Sequence, residues 1–111
     1  MSYIKRGTTP VIVVELENVA NSDVASIEFI FKHRKSESAP AICTKEYPGD
    51  FVAYDATNNT YQVSLSEWNT RAMAQHTKIF MDTKITLTTG VIPPTEIAEF
   101  QVEETLFPAE V

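Results

Sequence analysis

Apolar and polar residues alternate along most of this chain with a period of two, the spacing of a strand with one face buried and one in water. In "PVIVVELE" (10–17), Ile12, Val14 and Leu16 fall on one side, and Val13, Glu15 and Glu17 on the other. In "VASIEFIFKH" (24–33), Ile27, Phe29 and Phe31 share a face opposed by Glu28, Ile30 and Lys32. "AICTKEY" (41–47) is a shorter candidate, and "FVAY" (51–54) and "TYQVSLS" (60–66) flank Asp55-Ala-Thr-Asn-Asn59, which reads as a hairpin turn. The longest pattern, "TKIFMDTKITLTT" (77–89), sets Ile79, Met81, Thr83, Ile85 and Leu87 against Phe80, Asp82, Lys84 and Thr86. In "EIAEFQVEE" (96–104), Ala98, Phe100 and Val102 point inward.

These stretches predict about seven short strands. The segments between them hold Asn-Ser-Asp, Pro-Gly-Asp, the hairpin cluster and Thr-Thr-Gly, and all three glycines sit between candidate strands, where positive φ is often needed. "SEWNTRAMAQ" (66–75) breaks the period. Ser66 is placed to cap a helix, Glu67 falls in its first turn, and helix formers follow. The segment is too short for a free helix, so a helical turn near 66–74 is expected to cross between sheets, with Trp68 or Met73 plugging the end of the core. The expected fold is all-β: an antiparallel, immunoglobulin-like β-sandwich forming a single domain over residues 1–111, with a small barrel as the alternative. The Cys…Trp…Cys framework of true immunoglobulin domains is absent.

Composition narrows the function classes. The chain has 111 residues, 43% hydrophobic and 22% charged, an ordinary globular balance. Nine Lys and Arg against 15 Asp and Glu give a net charge of −6. Beyond Lys84 there are five glutamates (Glu96, Glu99, Glu103, Glu104, Glu110) and no Lys or Arg, which argues against nucleic-acid binding. No apolar run reaches the roughly 20 residues of a membrane span, and the N-terminus lacks a signal-peptide pattern. The chain is therefore expected to be made in the cytoplasm. The lone Cys43 cannot form an intrachain disulfide and reads as a small apolar strand residue.

Candidate chemistry is sparse. A phosphate-binding loop needs several glycines leading into a helix, whereas in "RGTTP" (6–10) one glycine precedes a β-branched run and Pro10 stands where the strand begins. This segment reads as a strand lead-in. His33 and His76 have no partner at metal-ligand spacing, and no nucleophile elbow occurs. A small hydrolase built from Asp50, Asp55 or Asp82 with His33 is the weakest reading. No catalytic residue, cofactor or metal ligand is expected. "KHRKSES" (32–38) is the one basic cluster and reads first as a solvated loop. If identical subunits met head to tail, Lys32, Arg34 and Lys35 of one copy would face Glu99, Glu103 or Glu104 of the next.

Several segments in this order resemble a known group. "RGTTPVIVVELE", "VASIEFIFKH", "TYQVSLSEWNT" and "DTKITLTTGVIPPTEIAEFQVEETLF" are similar to small proteins encoded among head and tail structural genes of phages and prophages of Gram-positive bacteria. In those proteins an "RGTTPT" lead-in precedes the first strand. A strand then runs into a Gln/Glu-x-Thr turn, matched by Ser64 to Thr70, and the penultimate strand ends as Leu87 to Gly90 do here. The lead-in is also similar to the N-terminal β-sandwich domain of phage baseplate upper proteins. This chain departs from the pattern around residues 36–42 and at Val91-Ile92-Pro93-Pro94, where a shorter polar turn is usual.

The resemblance implies a non-enzymatic virion component of the tail or baseplate. Such a protein would be made in the host cytoplasm and would assemble with itself or with other virion proteins as a homo-oligomer. The segment before Thr9, with Lys5 and Arg6, and the tail after Glu104 are expected to reach a neighbouring subunit, because neither closes a core alone. The alternative is a carbohydrate-binding sandwich for host-surface recognition, presenting Tyr47, Tyr54, Tyr61 and Trp68.

Overall fold

The computed structural model describes residues 2–16, 18–74 and 77–107. Eight strands follow in order: β1 (Ser2–Lys5), β2 (Val11–Glu15), β3 (Val24–Lys32), β4 (Ala41–Tyr47), β5 (Val52–Asp55), β6 (Thr60–Ser64), β7 (Lys78–Leu87) and β8 (Ala98–Glu103). A 3-10 turn at Asn21–Asp23 precedes β3, and the short helix α1 (Glu67–Arg71) stands between β6 and β7. One sheet has the order β1-β8-β7-β3-β4 and the other β2-β6-β5.

Every strand except β1 forms where the alternating pattern predicts it, because a period of two lets β-branched and aromatic side chains share one buried face. Ile27, Phe29 and Phe31 of β3 are fully buried, as are Ile79 of β7 and Val63 of β6. The two sheets close over these residues, so α1 does cross from the small sheet to the large one. The result is a β-sandwich of immunoglobulin-like architecture. By chain order and pairing, β2, β6 and β5 take the places of strands B, E and D, while β8, β7 and β3 take those of G, F and C, with β4 added beside C.

Eight strands stand against an expected count of about seven, because β1 has one inward residue and so no readable period. Its pairing with β8 is parallel, Ser2 to Lys5 lying against Phe100 to Glu103, so the sandwich is not wholly antiparallel. The N-terminal segment therefore belongs to this chain's own core: Ile4 is 2% exposed, with Tyr3 and Lys5 facing out.

Around α1, Met73 rather than Trp68 takes the inward position. Ser66 caps the helix as expected: its hydroxyl accepts the Asn69 N–H (3.1 Å) and Asn69 Oδ1 accepts the Ser66 N–H (2.9 Å). Met73 is fully buried, but Trp68 is 61% exposed and plugs nothing. Thr70 and Met73, three apart, face the core, and Trp68, two positions before Thr70, lies on the opposite side of the helix.

Candidate functional site

The lead-in "RGTT" meets α1 and the C-terminal segment at one end of the sandwich. Gly7, at φ +77°, lets the chain turn sharply after β1. Its N–H donates to Thr70 Oγ1 at 3.0 Å, and the Thr70 hydroxyl lies 2.9 Å from the Thr8 carbonyl oxygen and 3.0 Å from that of Glu67. Arg6 donates through Nη2 to the Arg71 carbonyl (3.0 Å) and pairs through Nη1 with Glu104 (3.4 Å). Arg71 in turn pairs with Glu67 at 3.0 Å and donates to the Phe107 carbonyl at 3.3 Å. The guanidinium groups thus clasp the two chain ends to α1. Around this clasp Trp68, Leu106 and Phe107 are 61%, 95% and 76% exposed.

The basic cluster sits elsewhere, at the β3–β4 loop. Lys32 Nζ donates to the carbonyls of Ser36 and Glu37, both at 3.0 Å, and so closes the loop on itself. Lys35 lies 5.2 Å from the Phe80 ring centroid. With Arg34, Asp82 and Ile97 these residues line a cleft of about 310 Å³ on the outer face of the large sheet. Of the acidic residues expected to meet this cluster, Glu104 pairs with Arg6 and Glu99 with Lys78 (3.6 Å) in the same chain. Glu103 lies opposite Lys5 in the β1–β8 register.

The aromatic candidates do not form a platform. Tyr61 is 1% exposed, with Tyr47 and Tyr54 packed on it at centroid distances of 5.0 Å. Asn21 Nδ2 donates to the Tyr61 hydroxyl at 2.7 Å and lies 3.2 Å from that of Tyr47. Trp68 stands apart on α1. The polar candidates are scattered too. His33 Nε2 accepts the Ala74 N–H at 2.9 Å. Asp55 holds its own hairpin by accepting from the Thr57 N–H and the Asn58 amide, and Asp50 and Asp82 are exposed. His76 lies outside the described residues. Among the described residues no three His, Cys, Asp or Glu side chains gather as a metal site, and no helix is long and apolar enough to cross a membrane.

Burial has a consequence for pH. It pushes the Tyr61 phenol above its ordinary value near 10, against the opposing Asn21 hydrogen bond, and pushes the Cys43 thiol above 9.0, against the opposing charge of Lys45. Both groups hold their protons longer folded than unfolded, so the stability they contribute is complete below the unfolded values and is lost as pH rises through the folded ones. Urea midpoints should therefore fall from about pH 8 to about pH 10.5, and Tyr61→Phe should flatten that fall. An equal fall in wild type and Tyr61→Phe would assign it elsewhere.

The opposite kind of site, missed in the sequence, is the seam beside β2. At the other seam, β4 lies against β5. Beside β2 the sandwich is open, with two connected grooves of about 480 and 550 Å³ between β2 and the floor formed by β1, β7, β8 and Pro93–Glu96. Val11 and Val13 are 54% and 60% exposed on the outer face there. A clean β-branched run flanked by proline was the available signal. Which sheet edge it would occupy could not be read.

No protein-family model and no curated protein matches this sequence. Among solved structures, the chain is similar to the extracellular domains of the voltage-gated sodium channel beta4 subunit, whose parallel homodimers explain that protein's role in cell–cell adhesion. The alignment covers 94% of this chain and 90% of that one, at 13% identity and a TM-score of 0.41.

Proposed function

We propose that this protein is a non-enzymatic structural component of a phage or prophage particle, of the tail or baseplate, working through contacts between subunits. The segment resemblances point to that class. The single structural observation that carries the reading is the exposed apolar residues at the clasped end: Trp68, Leu106 and Phe107 stand in water on elements held by the hydrogen bonds of Arg6, Gly7 and Arg71. Exposed aromatic and aliphatic side chains on such a support are the usual anchors of protein interfaces.

Light scattering over a range of concentrations, with the chain alone and with the products of adjacent structural genes, tests this. The wild type should form a defined assembly. Leu106→Ser with Phe107→Ser should weaken it by at least about tenfold while leaving the unfolding temperature almost unchanged, since both side chains are already exposed. Assembly that ignores the double substitution would move the interface away from this end. A chain that stays monomeric with every partner would remove the reading.

A further inference from the structure

The two sheets are unequal, five strands facing three, and the shortfall lies beside β2. In the immunoglobulin arrangement, strand A flanks strand B on the same sheet as E and D. Here β2 takes the place of B, but the first strand, β1, pairs with β8 on the opposite sheet. The strand-A position beside β2 is flanked, among the described residues, only by the grooves.

The backbone there is ready for a partner. Leu65 N–H donates to the Pro10 carbonyl, so Pro10 and Leu65 form a hydrogen-bonded pair across β2 and β6. Alternation then turns the N–H and C=O groups of Ile12 and Val14 toward β6 and those of Val11, Val13 and Glu15 toward the open seam. No hydrogen bond among the described residues uses these outward groups. The edge carries no lysine, proline or bulge between Val11 and Glu15 to repel an added strand.

We infer that the β2 edge accepts one extended segment of a partner protein, running antiparallel to β2, with apolar residues facing the groove and a lysine or arginine opposite Glu15. Residues of β1 line the groove beside β2, and one strand at the usual spacing of about 4.8 Å is the unit that occupies a strand-A position. Charge selects its chemistry. Glu15 and Glu96 line the groove, no Lys or Arg does, and neither glutamate has an ion pair among the described residues. Side chains directly opposite in an antiparallel pair share a face, so a residue facing Glu15 lies on the outer side and its neighbour faces inward beside Val14. This inference rests on the reading of the chain as an assembly component and names what one of its borders binds.

The test is an NMR titration of the full chain with the hexapeptide Lys-Val-Thr-Val-Thr-Val, blocked at both ends, and with its Glu-for-Lys counterpart. The lysine peptide should shift the Val11, Val13 and Glu15 amides and slow their hydrogen exchange. It should bind at least about fivefold more tightly than the glutamate peptide, a preference that Glu15→Lys with Glu96→Lys should reverse. No slowing at these amides at millimolar peptide, slowing at another edge, or a preference that the double substitution leaves unchanged would overturn it. So would amides already protected without peptide, whether in an oligomer, which would seat a second copy there, or in a monomer that loses protection on truncation after Glu104. Should the peptide fail while assembly still depends on Leu106 and Phe107, only the strand site falls.

Discussion

Phe29→Ala should lower the free energy of unfolding by about 3–5 kcal/mol, a large part of the roughly 5–15 kcal/mol that holds a domain of this size. Phe29 is fully buried at the middle of β3, between Lys45 of β4 and Thr83 of β7 in register, and its ring faces the small sheet. Truncation leaves a hole that two hydrogen-bonded sheets cannot collapse to fill. Phe80→Ala on the outer face of β7, where Phe80 is only partly buried beneath Lys35, is the comparison and should cost about 1 kcal/mol. Urea unfolding of both variants decides the matter. Equal losses would mean that the period-two pattern does not divide inside from outside.

Thr70→Val should cost about 2–3 kcal/mol although it keeps the side chain's shape. Thr70 is fully buried, and its hydroxyl accepts the Gly7 N–H while facing the Thr8 carbonyl. Valine strands the N–H and removes the donor. Thr70→Ser keeps the hydroxyl and loses one methyl, so it should retain most of the stability. Hydrogen exchange at Gly7 should rise in Thr70→Val and stay slow in Thr70→Ser. Were the two variants equally stable, the clasp between the lead-in and α1 would contribute packing alone.

The strands were legible because each carries at least two inward residues at the right spacing; β3 and β7 could hardly be read otherwise. β1 was not, since Ser2-Tyr3-Ile4-Lys5 has one inward residue, Ile4, and a single position defines no period. Its parallel pairing with β8 depends on a neighbour almost the whole chain away. The capped turn at Ser66 is legible from its local hydrogen-bonding chemistry, but the phase of five helical residues is not, and so the sequence leaves Trp68 and Met73 as equal candidates for the core. Lys45 is a separate case: it is 8% exposed on the inward face of β4, opposite Phe29. Its ammonium lies 4.1 Å from the Phe51 ring centroid, a cation–π contact across a turn that residue type alone does not announce.

The candidate contacts fared according to how far apart in sequence their partners lie. Arg6 and Glu104 look free when read separately, yet the fold pairs them, and Glu99 finds Lys78 across β7 and β8. The lead-in reads as the entry to a strand, and its partner, the Thr70 hydroxyl, is visible only once β1 and α1 are placed.

Cross-linking mass spectrometry on any phage particles purified from cells that carry this gene tests the proposed role most directly. The account predicts that the chain is a fixed component of those particles. It also predicts intersubunit links from Lys5, at the end of β1 beside the clasp and the open seam, with few from the buried Lys45. Particles without the chain, or links confined to the β4 side of the sandwich, would contradict it.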